Sequence, residues 1–234
     1  MRKSLIYVAL FVVVATTLGM AGCGQNRPTE PAKPATAPVK GAPAKVEPDR
    51  TGWPVIVAFG DSLTEGYQVD PKLNYPARLQ GALDQKGYKY RVVNAGISGD
   101  TTTGGLNRVQ AVIDQKPAIV ILELGANDGM RGMPLDKMKA NLQGIIDRLK
   151  AAKVQVVLAG IQIPPNLGPE YTQSFQQTYK ELAEANQLPL IPFLLEGVAA
   201  RPELNLPDGI HPTGEGYVYV VNNVLPVLEP LLQR

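Results

Sequence analysis

Three residues, Ser62, Asp208 and His211, have the types and spacing that acyl transfer needs. His211 is the only histidine in the 234 residues, so an imidazole acting on any serine here can only be this one. A serine hydroxyl is a weak nucleophile until a base within hydrogen-bond reach takes its proton. Ser62 stands in Phe59-Gly60-Asp61-Ser62-Leu63-Thr64-Glu65-Gly66-Tyr67, just past an apolar run that ends at Phe59. Asp208 precedes His211 by three residues in Asp208-Gly209-Ile210-His211-Pro212. At that spacing its carboxylate can accept the second ring N–H, fix the tautomer and stabilise the imidazolium. A carbonyl attacked by Ser62 would develop an oxyanion, which needs preorganised donors. The backbone N–H groups of Ser62 and Gly99 and the side-chain amide of Asn127 are the candidates. Each has a plainer reading: a helix cap for Ser62, a tight turn for Gly99 and an Asx turn for Asn127. Asp61 reads as ordering the nucleophile loop, Asp128 as structural, and Thr101 to Thr103 as a helix cap.

Elements must bring these positions together. Val55–Phe59, Arg91–Asn94, Ala118–Leu124, Val154–Ala159 and Leu188–Ile191 are short apolar runs that read as strands. Between them lie helical segments at about 76–86, 101–115 and 135–151, and a further one marked by Tyr171, Phe175, Tyr179 and Leu182. A last helix is expected after Pro212, carrying Val218, Val221, Val224 and Leu225, and kinked or ended by Pro226 and Pro230. Alternating strands and helices predict a parallel sheet covered on both faces. The expectation is a flavodoxin-like, three-layer α/β/α fold with a five-stranded parallel sheet in the order 2-1-3-4-5. In such a sheet every strand-to-helix loop lies on one edge, where ligands bind. Ser62, Gly99, Asn127 and the Asp208–His211 pair all fall in those loops.

Composition narrows the class. Residues 1–50 hold seven Lys/Arg against three Asp/Glu, and the rest hold sixteen against eighteen. A mildly acidic folded part has no basic stripe for nucleic acid. One cysteine, Cys23, and one histidine cannot form a zinc site of the usual ligand types. Neither a metal nor a cofactor is expected.

Four segments carry a family resemblance. Gly60-Asp61-Ser62-Leu63, Asn94-Ala95-Gly96-Ile97-Ser98-Gly99-Asp100-Thr101, Leu124-Gly125-Ala126-Asn127-Asp128-Gly129 and Asp208-Gly209-Ile210-His211-Pro212 resemble, in order, the four blocks of the SGNH (GDSL) hydrolase superfamily. The chain is most similar to the branch with bacterial thioesterase I/protease I/lysophospholipase and the arylesterases. The resemblance covers about residues 53–234. Ile161-Gln162-Ile163-Pro164-Pro165-Asn166-Leu167-Gly168 is similar to that branch's mobile substrate loop. It implies a serine hydrolase of small or lipid-like acyl esters or thioesters, with substrate contacts at Ile161, Ile163 and Pro164. Met130, Met133, Leu167, Phe193 and Leu194 are further candidates for an acyl pocket. The G-x-S-x-G elbow of α/β-hydrolases does not surround Ser62. Two other readings stand beside this one: a carbohydrate O-acetylesterase of the cell envelope and a non-catalytic surface lipoprotein module.

The first fifty residues read separately. Arg2 and Lys3, an apolar run from Leu5 and small residues up to Gly22 form an export signal over 1–22. Met20-Ala21-Gly22-Cys23 resembles a bacterial lipobox, which implies cleavage before Cys23 and lipid on its sulfur. Gly24, rather than Asp, implies outer-membrane retention, facing the periplasm. Residues 23–50, with six prolines, read as a linker, and 51–234 as the hydrolase domain. A monomer, either lipid-anchored to the outer membrane or otherwise in the periplasm or cell envelope, is the expectation.

Overall fold

The computed structural model describes residues 48–234, so the leader, Cys23 and nearly all of the linker lie outside the described residues. Five strands, β1 (Val55–Gly60), β2 (Arg91–Gly96), β3 (Ile119–Glu123), β4 (Gln155–Ala159) and β5 (Leu190–Ile191), form one sheet. Its order is 2-1-3-4-5 with every pairing parallel, as the alternation of runs predicts. The central strands β1 and β3 are buried along their whole length, which is why both read as continuous apolar runs. β2 is an edge strand with half-buried and exposed positions.

Among the described residues, seven helices are interspersed with the strands: α1 (Ser62–Glu65), α2 (Tyr75–Gln85), α3 (Thr102–Ile113), α4 (Ala126–Met130), α5 (Leu135–Ala151), α6 (Pro169–Asn186) and α7 (Gly216–Leu228). α2 packs with α7, while α5 packs with both α3 and α6. The inward face of α5 is Met138, Leu142, Ile145, Ile146 and Leu149, the three-and-four spacing of an amphipathic helix. Thr101 caps α3 through its hydroxyl on the Gly104 N–H.

The last helix departs from expectation. Its buried face is Tyr217, Val220, Val221, Val224 and Leu228, and Val218 is exposed. Pro226 does not end it. Val224 and Leu228 flank the proline and are both fully buried. Anchoring two such side chains offsets a proline cost of about 3 kcal/mol. A 3₁₀ turn, Glu229–Leu231, follows and contains Pro230.

Two short helices, α1 and α4, stand where loops were expected. The Asp61 carboxylate accepts the Leu63 N–H at 3.0 Å and so caps α1, and Gly66 closes it with φ +89°. Ser62 therefore opens a helical turn at the carboxyl edge of β1. Asn127 sits in the first turn of α4. Gly60 must lack a side chain, because a Cβ there would overlap the Thr64 hydroxyl and the Glu123 carboxyl.

Candidate active site

Ser62 and His211, 149 residues apart in sequence, meet at the carboxyl edge of the sheet. Ser62 Oγ lies 2.9 Å from His211 Nε2, and His211 Nδ1 lies 2.8 Å from Asp208 Oδ2. The segment bearing Asp208 and His211 is a tight excursion between β5 and α7. Its base is closed by an antiparallel bridge of Asn205 with Pro212 and by the Leu206 N–H on the His211 carbonyl at 2.7 Å. Asp208 Oδ1 also accepts the Ile210 and His211 N–H groups, at 2.9 and 3.0 Å. Its limited burial raises its pKa, but those two N–H groups and the His211 ring outweigh that and hold Asp208 below the ordinary carboxylate range. Asp208 is thus an ionised acceptor that can keep the imidazole in the tautomer whose Nε2 faces Ser62.

The donor candidates are placed with different closeness. The Asn127 amide donates to Asp61 Oδ2 at 3.1 Å, one residue from the nucleophile. An amide nitrogen has two N–H groups, so this bond leaves one to serve the substrate. Gly99 is exposed, with φ +78°; neither it nor Asn127 is among the residues lining the cavity that opens beside Ser62. The Gly99 loop is strapped to the nucleophile segment by the Ile97 N–H on the Gly60 carbonyl (3.1 Å) and the Ser98 N–H on the Glu65 carboxylate (2.8 Å). Arg131 Nη2 adds a bond to the Gly99 carbonyl at 3.2 Å.

Beside Ser62 opens a cavity of about 340 Å³. Ile161, Ile163 and Pro164 line it, together with Leu63, Ala126, Met130, Pro165, Phe193, Leu195 and Ile210. Met133, Leu167 and Leu194 do not; Leu194 is fully buried and its neighbour Leu195 takes the lining position. A largely apolar cavity ending at a serine hydroxyl suits an acyl group whose carbonyl reaches Ser62. Among the described residues no group of three or more His, Cys, Asp or Glu is arranged to hold a metal ion, and no helix is long and apolar enough to cross a membrane.

Beneath Ser62 lies a buried acid pair, Asp61 and Glu123, of which the sequence pointed only to Asp61. Glu123, at the end of β3, is fully buried; its Oε2 accepts the Thr64 hydroxyl at 2.8 Å and the Asp61 N–H at 3.2 Å, and Oε1 has no partner. Burial first, and then the nearby Asp61 charge, push Glu123 well above the carboxylate range. Burial pushes Asp61 up to about 6, against the Leu63 and Asn127 hydrogen bonds and the attraction of His211. Two such groups cannot both ionise cheaply, so Glu123 is the member that stays protonated. The available signal was one acid inside the apolar run 118–124. Arg108 was missed as well. From α3 it donates to the Gly60 and Ala95 carbonyls, both at 2.8 Å, and pairs with Asp100 at 2.7 Å. Asp128 holds the start of α3 through the Thr102 N–H and hydroxyl.

The Asp61 shift has a consequence for stability. Its pKa is higher in the fold than in the unfolded chain, so its contribution is complete below about pH 4 and is lost as pH rises through about 6. Wild type measured against Asp61→Asn by urea denaturation is expected to lose up to about 3 kcal/mol of relative stability between pH 4 and pH 7. A difference that does not change with pH would show that Asp61 is not titrating in this window.

Known proteins share this arrangement of sequence and fold. Residues 58–219 match the family described as GDSL-like Lipase/Acylhydrolase. Esterase TesA of Pseudomonas aeruginosa is 42% identical over 178 residues, spanning 76% of this chain and 89% of its own length. Thioesterase 1/protease 1/lysophospholipase L1 of Escherichia coli is 36% identical over 180 residues, or 76% and 85% of the two chains. A crystal structure of TesA superposes with a TM-score of 0.74 at 42% identity, covering 76% of this chain and 99% of the other.

Proposed function

This chain belongs to the GDSL-like lipase/acylhydrolase family, and from that premise we propose that Ser62, His211 and Asp208 carry out its esterase and thioesterase chemistry through an acyl-enzyme. The observation that carries this reading is the unbroken chain of contacts from Ser62 Oγ through the His211 ring to Asp208. His211 Nε2 takes the hydroxyl proton as Ser62 Oγ bonds to the substrate carbonyl carbon. Asp208 holds the other side of the imidazolium. The carbonyl oxygen gains the negative charge, and the Ser62 and Gly99 N–H groups and the Asn127 amide donate to it. As the intermediate collapses, the C–O or C–S bond breaks and His211 returns the proton to the leaving alcohol or thiol. Water, deprotonated by the same base, then releases the acid and restores Ser62. No step draws on a metal or cofactor.

The substrate is a small or lipid-like acyl ester or thioester. The apolar cavity supports this class, as do the esterase and thioesterase names of the relatives. Neither the O-acetylesterase reading nor the non-catalytic reading is favoured by those relatives. For the residues outside the described part, the proposal remains export, cleavage before Cys23 and a lipid tether on a proline-rich linker, with the enzyme body monomeric and facing the periplasm.

One intact-mass experiment tests both parts. Full-length protein from its membrane fraction is expected to gain a single phosphonyl group from a fluorophosphonate, and Ser62→Ala none. The unlabelled mass is expected to fit a chain starting at an acylated Cys23. Labelling of folded Ser62→Ala would overturn the nucleophile assignment; a mass retaining residues 1–22 would overturn the tether.

A further inference from the structure

His211 is held at three places, and only two of them belong to the triad. Its nitrogens meet Ser62 and Asp208. Its ring also lies against Tyr67, with centroids 4.6 Å apart and the planes tilted by 41°. We propose that Tyr67 is a positioning residue for the base: its ring fixes the plane of the His211 imidazole between Ser62 and Asp208 and stabilises the imidazolium formed when Ser62 gives up its proton. This rests on the serine-hydrolase reading and adds to it a group that acts through the base.

The local backbone places the ring there. Gly66 turns the chain out of α1 in the left-handed region, at φ +89°. Both the Gly66 and Tyr67 N–H groups then bond back to the Ser62 carbonyl, at 3.0 and 3.2 Å. The tyrosine thus leaves the chain directly beside the nucleophile. Gln68 donates to the Tyr67 hydroxyl at 3.0 Å, and the Val69 N–H closes the turn on the Gly66 carbonyl at 3.0 Å. A Cβ at Gly66 would crowd the Asn74 side chain, at 2.5 Å from its Cβ, so the turn has little room to shift.

Two observations separate this role from substrate binding. Tyr67 does not line the cavity beside Ser62. Tyr67 is 37% exposed, and the ring contact it makes is with the base. An aromatic face attracts a cation through its quadrupole, and the attraction exists only after the imidazole is charged. It therefore favours the transition state over the resting enzyme. The ring also prevents the imidazole from swinging about the Asp208 bond, and small misplacements of a base lower the rate steeply.

The test compares Tyr67→Phe, Tyr67→Trp and Tyr67→Leu in the full chain without added histidines. With p-nitrophenyl butyrate, Tyr67→Leu is expected to lose about 10-fold in kcat with KM unchanged, and its rate of fluorophosphonate labelling is expected to fall by the same factor. Phe and Trp keep a ring face and are expected to remain within about 3-fold of wild type. The single histidine gives one set of imidazole resonances, whose ring-current shift is expected in wild type and Tyr67→Phe and absent in Tyr67→Leu. If Tyr67→Leu does not fold, Tyr67→Met takes its place with the same expectations. Tyr67→Leu at wild-type kcat, a loss confined to KM, or a Phe variant as slow as Leu would each overturn the proposal. A Ser62→Ala protein that still turns over would instead overturn the parent reading, so the two failures are distinguishable.

Discussion

Ser62→Ala and His211→Ala are each expected to lower kcat for p-nitrophenyl butyrate by about 10⁴–10⁶-fold, and the double variant is expected to be no worse than the poorer single one. The reason is the 2.9 Å contact between Ser62 Oγ and His211 Nε2, which makes the two residues one device. A hydroxyl without its base is not a useful nucleophile, and a base without the hydroxyl has nothing to activate. Losses from residues that act as a unit do not add. The residual rate in all three variants is expected to be similar and above that of water, because the cavity and the groups proposed as oxyanion donors remain. Ester hydrolysis by purified full-length protein, with folding verified by circular dichroism, measures this directly. Additive losses would mean that Ser62 and His211 serve separate steps; wild-type turnover by either single variant would remove that residue from the mechanism.

Asn127→Ala is expected to cost about 10²–10³-fold in kcat with little change in KM. In the proposed role the amide would act on charge that appears only after Ser62 attacks, so its loss would leave ground-state binding intact. Its effect depends on aim. Asp61 Oδ2 holds the amide at 3.1 Å while Asp61 Oδ1 caps the α1 turn at Leu63, so one carboxylate orients both the Ser62 turn and the Asn127 amide. Steady-state kinetics with a nitrophenyl ester, read separately for kcat and KM, is the check. A change in KM alone would assign Asn127 to substrate binding and leave the oxyanion to the two backbone N–H groups.

Legibility in the sequence followed the range of the interaction. The strand order was open to reading because β1, β3 and β4 are apolar runs separated by periodic helical segments, and right-handed parallel crossovers leave few topologies. Thr101 as a cap was readable because capping involves only three residues in sequence. The α1 turn carried a similar local signal, an Asp before Ser62 and Gly66 after it, yet it reads as a loop when the segment is only four residues long. That α7 runs on past Pro226 was not legible, because the local cost of a proline is visible in the sequence and the burial of Val224 and Leu228 that offsets it is not.

The site divides along the same line. The residue types alone restricted the chemistry: one histidine in the whole chain, an aspartate three residues before it and a serine at the end of an apolar run. What the chain could not show by itself was which distant atoms share a direction. The Tyr67 ring against His211, the Glu123 acid beneath Asp61, and the Arg108 guanidinium on the end of β1 each join residues from about fifty to well over a hundred positions apart. Periodicity and local hydrogen bonding are short-range and leave a mark in the order of residues. Burial, ring stacking and the shift of a buried carboxyl depend on what the folded sheet brings to the same few ångströms, and only the tertiary structure decides that.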